Sequence, residues 1–280
     1  MKKLIITADD YGMSRAVNDA IDAGIACGLI TTTNVMTNME FYQEAAKLRN
    51  TGASVGLHWT ISTGSPVLDP KEIKTLVNED GNFYSYPEFR KRYRKGLISN
   101  KDIVKELKAQ YKLFVEVCGE PDYWNTHENT HVDFGVFKVF VDTAKELGIF
   151  KMRSHRRVYV PASNGVSTKS LTWRIIEPLK RMILKSWMQY AKKNGMTSPY
   201  GITVPLRKTD LKNPEYLFAN LHFGDDVVAE YVIHPATAID SQYFGNIGDD
   251  RICEYKQFVS QEQKEILEKN RFALINFSAL

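Results

Sequence analysis

Leu4-Ile5-Ile6-Thr7-Ala8-Asp9-Asp10-Tyr11-Gly12-Met13-Ser14 holds an apolar run, two acids and a turn residue in close succession. The run over 4–7 suits a strand buried on both faces, as in a parallel sheet. Gly12 can take the positive φ of a turn. Ser14 is placed to cap a helix over 16–27, where Val17, Ala20, Ile21 and Ile25 share one face. Gly28 then supplies the stop. Residues 29–36, rich in Thr and Val, read as a second strand, 41–48 as a helix and 54–59 as a third strand. This alternation argues for βαβ units and a largely parallel sheet.

The same rhythm returns downstream. A helix is expected over 101–117, a strand over 123–127, a helix over 134–147 ended by Gly148, and a short strand over 150–153. A strand over 227–234, a helix over 261–269 and a strand over 272–277 follow. About seven strands favour a closed or nearly closed barrel over an open sheet. Two stretches, about 64–100 and 155–212, break the pattern and read as insertions into a single domain. The second contains a basic segment, 169–193, with Trp173 and Trp187. A solvated helix face, an oligomer contact or a wall for an anionic substrate accounts for it better than nucleic acid does.

The 280 residues are 43% apolar and 25% charged, which suits one globular domain, and the net charge of +4 does not call for a nucleic-acid partner. Cys27, Cys118 and Cys253 are far apart and read as small buried residues in a reducing compartment. The short apolar run after Met1-Lys2-Lys3 meets two acids at once, so no signal peptide is read. No apolar run approaches the ~18 residues of a membrane span. The expectation is a cytoplasmic protein with no membrane or nucleic-acid partner, with a homodimer left open.

Ligands of parallel α/β folds gather at the carboxyl ends of the strands. Asp9-Asp10, His58, His127, Arg153 and His234 all fall at such ends. Singly, each has a plainer reading: a helix cap, a core histidine, an ion pair, a rigid strand exit before Pro235. Together, one carboxylate and two imidazoles make a ligand set with open positions. The neighbouring carboxylate is then left to move a proton. Adjacent strand residues point opposite ways, so the chain must turn here, and Tyr11-Gly12 is expected to supply the turn. His131 reads either as surface or as support, while His155 and His222 lack comparable placement. Tyr11, Trp59 and Trp124 read either as stacking partners for a sugar or as core.

Thr7-Ala8-Asp9-Asp10-Tyr11-Gly12-Met13-Ser14 resembles the opening ADDFG-S signature of the YdjC-like family, the chitooligosaccharide deacetylases. Gly56-Leu57-His58-Trp59, with Thr63-Gly64-Ser65-Pro66 after it, resembles the family's GLH motif and following G-x-P. Pro121 through His131 resembles its P-x-x-x-D-S-H-x-H-x-H segment. Glu230 to Pro235 resembles its late E-x-x-x-HP stretch, and Leu274-Ile275-Asn276-Phe277 its close. The resemblance implies a distorted (β/α) barrel related to polysaccharide deacetylases. It also implies removal of acetyl groups from N-acetylglucosamine units of short chitin fragments. One divalent ion, Mg2+ or Zn2+, would sit on His58, His127 and Asp10, with Asp9 as base. His234 is the expected acid toward the leaving amine, and Arg153 the expected partner of the oxyanion. Two departures stand out: the family's aspartate is Asn125 here, and its middle histidine is Asn129. Loss of that aspartate is expected to weaken ion binding, by ~10–100-fold where it supports a ligand. The rival readings are a phosphoesterase on the same scaffold and a non-catalytic sugar-binding or regulatory protein.

Overall fold

In the computed structural model, which describes residues 1–132, 135–165, 170–240 and 248–280, β1 (Lys2–Tyr11) is the hub of the sheet. It is buried from Leu4 to Tyr11, which explains its unbroken apolar start. β7 (Val228–Ile233) pairs with it over Lys3–Ala8. β8 (Phe272–Ile275) takes Lys2–Ile5, and β2 (Thr32–Val35) takes Thr7–Tyr11. β3 (Ser54–Trp59) and β4 (Trp124–Thr126) extend the sheet beyond β2. β6 (Gly201–Pro205) and β5 (Arg157–Val160) extend it beyond β7. Every ladder is parallel.

The sheet curls nearly into a barrel. The expected strand over 150–153 forms only bridges, Trp124 with Met152 and Lys151 with Thr197. Those bridges join the β4 edge to the segment that enters β6, so they bring the two ends of the sheet together. β5 begins four residues after Arg153 and was not foreseen. It and β6 lie inside the stretch 155–212 expected as an insertion, so that stretch contributes to the sheet. The region 64–100 is an excursion with a short helix, α2 (Tyr86–Arg94).

α1 (Arg15–Ala26) starts as expected, with Ser14 Oγ accepting from Val17 N, and Gly28 at φ +72° follows its end. α3 (Asn100–Cys118) and α4 (Val136–Glu146) cover the sheet through Phe114, Phe137 and Phe140, all buried. α5 (Leu171–Lys193), α6 (Pro214–Ala219), α7 (Gly248–Phe258) and α8 (Gln261–Lys269) complete the fold. The helix expected over 41–48 is instead a 3-10 helix over Tyr42–Asn50. Among the described residues no helix is long and apolar enough to cross a membrane. Phe134 and Lys169, and the side chains of His131 and Trp173, lie outside the described residues.

Tyr11, Trp59 and Trp124 are fully buried, and the two indoles pack with ring centres 5.4 Å apart. They are core, so the stacking role does not stand. Cys27 is exposed, against the expectation of three buried thiols; Cys118 is buried.

Gly56 has a packing reason. A Cβ there would lie 2.3 Å from the Tyr123 ring, which is itself stacked on Phe277 at 3.7 Å. Gly56→Ala is expected to lower stability by ~1–3 kcal/mol through overpacking. Urea unfolding checks this, and an unchanged midpoint would refute it.

Candidate metal and catalytic site

Asp9 and Asp10 reach one cluster because β1 carries an extra residue. Ala8 pairs with Thr33 and Tyr11 with Val35, so three steps on β1 match two on β2. Asp10 sits at φ +74°, a left-handed conformation that aspartate tolerates better than most residues. Such a bulge re-aims side chains beside a site. The turn expected at Tyr11-Gly12 therefore pivots at Asp10, with Gly12 at φ +98° just beyond it.

Asp10 Oδ1 lies 3.3 Å from His58 Nε2 and 3.0 Å from His127 Nδ1. Ligand atoms of the three residues all lie within 4.8 Å of one another. One carboxylate and two imidazoles that converge in a buried pocket fit a divalent ion of the zinc or manganese kind. His58 comes from the end of β3, and His127 follows β4 directly. Beyond His127 the chain makes two left-handed steps, Glu128 at φ +52° and Asn129 at φ +53°. Asn tolerates that conformation, which gives its presence at 129 a backbone reason. Ser62 Oγ donates to Glu128 Oε2 at 2.7 Å and ties this turn to the end of β3.

Arg153 does not face an open oxyanion position. Its NH1 and NH2 fork onto both oxygens of Asp9 at 2.6 and 2.7 Å, and its Nε donates to Glu230 at 3.0 Å. Arg153 thus holds the expected base from behind. Burial disfavours the Asp9 charge, but Arg153 outweighs it and brings the carboxyl down to about 2. Burial likewise opposes ionisation of Asp10, yet Arg251 and His127 hold its carboxyl well below the usual range. Burial works against the charged His127 ring too, but Asp10 raises its pKa overall. His234 Nε2 stands 3.8 Å from Asp9, and its side chain is 42% exposed. Its crowded surroundings lower its pKa although both aspartates pull it upward.

All six expected residues meet in one place. Three more belong to it and were missed. Arg251 NH2 donates to Asp10 Oδ2 at 2.6 Å; an arginine in a helix gave no sequence signal. Asn34 Nδ2 donates to Asp9 Oδ1 at 2.6 Å, and Glu230 receives Arg153. Asn34 and Glu230 stand inside buried strands, where a polar side chain needs a partner, and that was the signal available. His155 is buried with its pKa lowered to about 3, by burial first and then by Arg153.

The model of the family described as YdjC-like protein matches residues 3–269. The chain belongs to the YdjC-like family. A carbohydrate deacetylase of Clostridium beijerinckii is 36% identical over 149 residues, 52% of this chain and 58% of that protein. One of Brevibacillus brevis is 23% identical over 99% of both chains. In the first relatives the match spans about half of their own length, 58% and 48% in the first two. A crystal structure from Enterococcus faecalis V583, provisionally named a cellobiose-phosphate cleavage protein, superposes with a TM-score of 0.78. It is 22% identical over 99% of this chain and 98% of that one, so the two share a fold.

Against the family's pattern, Asn125 gains a physical meaning. Its amide lies 2.6 Å from His58 Nδ1, and its other end faces Arg153 NH1 at 2.9 Å and Asn34 Nδ2 at 3.1 Å. Those neighbours are donors, so the amide oxygen belongs beside them and its NH2 donates to His58 Nδ1. A neutral His58 then carries its proton on Nε2, the atom that faces Asp10. Ion binding at Nε2 requires the proton to move to Nδ1, which opposes it to the amide NH2. An aspartate could accept from both His58 and Arg153. Asn125→Asp is therefore expected to tighten divalent-ion binding by ~10–100-fold. Competition with a chromophoric chelator measures this, and equal or weaker binding would sink the account.

Glu254 Oε2 accepts from His234 N at 2.7 Å. Burial raises its carboxyl from 4.5 to about 7. Between those values the folded chain binds more protons than the unfolded one, so this carboxyl costs stability as pH rises from about 4.5 through 7. The full effect is ~3 kcal/mol at ~1.4 kcal/mol per unit. Glu254→Gln should flatten the stability profile between about pH 5 and 8 by a sizeable part of that. Unfolding midpoints at the two pH values decide it.

Proposed function

We propose that this chain is a metal-dependent carbohydrate deacetylase that hydrolyses the N-acetyl group of short N-acetylglucosamine oligosaccharides, with or without phosphate on the sugar. The observation that carries this is the cluster of Asp10, His58 and His127 beside an Asp9 that Arg153 pins in place. Family membership and relatives named carbohydrate deacetylase support it.

Asp10, His58 and His127 would hold the ion, which when bound supplies Lewis-acid polarisation and a more acidic water. Asp9 is ionised across the working pH range and has its two oxygens fixed by Arg153 and Asn34. It accepts the proton of the water that attacks the acetamide carbon. As a weak base it needs that water to be made acidic, which ties its role to the ligand cluster. His234, on the accessible side of Asp9, gives a proton to the sugar nitrogen as the C–N bond breaks. Its lowered pKa makes the protonated ring a readier donor. Acetate and a free amino sugar leave. Among the described residues no second cluster of metal ligands lies beside this one, which favours this reading over a two-ion phosphoesterase.

Purified protein with a divalent ion and N,N′-diacetylchitobiose, with and without a phosphate group, is expected to release acetate. Asp9→Asn should lower kcat by ~100-fold or more while sugar affinity persists. His58→Ala should lose both ion binding and turnover. Acetate release from Asp9→Asn equal to wild type would remove Asp9 from the chemistry. No acetate from ion-loaded wild type would reject these substrates.

A further inference from the structure

α5 carries an outward apolar face that the described residues leave exposed. Leu171, Ile175, Ile176, Leu179, Met182 and Ile183 are between 41% and 72% exposed. At ~100° per residue they fall within an arc of about 140°. The helix is attached to the body along a different line, through buried Glu177, Leu184 and Ala191 at seven-residue spacing. That seam lies about 150° around the helix from the centre of the apolar face. Packing among the described residues therefore leaves the apolar face turned outward.

The charges on α5 point to what covers it. Arg174, Lys180, Arg181, Lys185, Lys192 and Lys193 are exposed, and its single acid, Glu177, is buried against Tyr159 and Arg181. Arg174, Arg181, Lys185 and Lys192 line one flank of the apolar arc, Lys180 stands on the other, and Lys193 lies on the line of the arc itself, at the end of the helix beyond the last apolar residue of the face. A second copy docked on this face would bring two basic flanks together, which like-charge repulsion opposes. Behind the helix lies a cavity of about 540 Å³ whose lining includes Arg156, Arg157, Arg181, Lys185 and Lys192 beside apolar Leu184 and Met188. It offers phosphate groups a basic recess beside the apolar face. A broad apolar face with cationic flanks is the pattern of a helix that lies in a bilayer interface.

We propose that α5 lies in the surface of an anionic lipid bilayer, with its apolar residues among the acyl chains and its basic flanks on the phosphate headgroups. This is peripheral binding without a span, and it stands apart from the catalytic reading, since α5 supplies none of the proposed site residues. It gives the basic segment a role that the expectation of no membrane partner did not foresee.

The test is flotation of the full chain with vesicles of phosphatidylcholine alone or with about 30 mol % phosphatidylglycerol, at about 0.05 and 0.5 M salt. Binding to the anionic vesicles is expected to exceed that to neutral ones by about tenfold or more at low salt and to weaken at high salt. The triple variant Ile175→Glu, Leu179→Glu, Met182→Glu alters only exposed positions and should lose vesicle binding. It should keep the unfolding midpoint and ion affinity of the wild type. Lys180→Glu with Lys185→Glu should lose the preference for anionic lipid. Absence of vesicle binding, or binding that the triple variant retains, overturns the proposal. A dimer in light scattering that the triple variant breaks, without vesicle binding, assigns the face to a second copy and also overturns it.

Discussion

The buried ion pair of Arg153 with Asp9 and Glu230 is the constraint around which the centre of this fold is arranged. Its members come from near the end of β1, from inside β7 and from the segment that bridges β4 to Thr197. Removing one partner from such a group leaves an uncompensated buried charge, a cost of ~3–5 kcal/mol. The curl of the sheet and the position of Asp9 are therefore one requirement. The guanidinium can reach both carboxylates only when the 151–153 segment closes against β4. Burial pushes the Glu230 carboxyl up while Arg153 pulls it back, so the pair competes for one cation.

The second requirement is the bulge at Asp10. A regular strand would send adjacent side chains to opposite faces. The extra residue and the left-handed Asp10 let one carboxylate turn back to Arg153 and the next reach His58 and His127. Arg251 then receives the second oxygen of Asp10. A short run of sequence thus makes two carboxylates with different partners.

Much of this was legible. Ser54–Trp59 and the helix Gln261–Lys269 fall where the sequence pattern puts them. The six polar residues were legible because the sheet's parallel order fixes which end its strands share, although Arg153 follows isolated bridges rather than a strand. β5 was not: Val158, Tyr159 and Val160 favour a strand, but the run is only four residues long and opens a stretch that breaks the βα rhythm. The role of Arg153 was misread because sequence gives position along a strand and not the direction of a side chain. Arg251 was invisible: its partner lies at the other end of the chain, and only the fold brings them together.

The neutral amides at this site follow from charge. Asp9, Asp10 and Glu230 face Arg153 and Arg251. With Glu230 ionised and the imidazoles neutral, the buried cluster is one negative charge from balance. An aspartate at 125 would suit a divalent ion better but would leave the ion-free cluster with two unbalanced charges and no bulk water to screen them. Asn125 keeps the hydrogen bonds to His58 and Arg153 without adding charge, and Asn34 does the same between Asp9 and Tyr123. The departure from the family's aspartate thus shifts the compromise between holding an ion and folding without one. It does so through the tautomer of a single histidine.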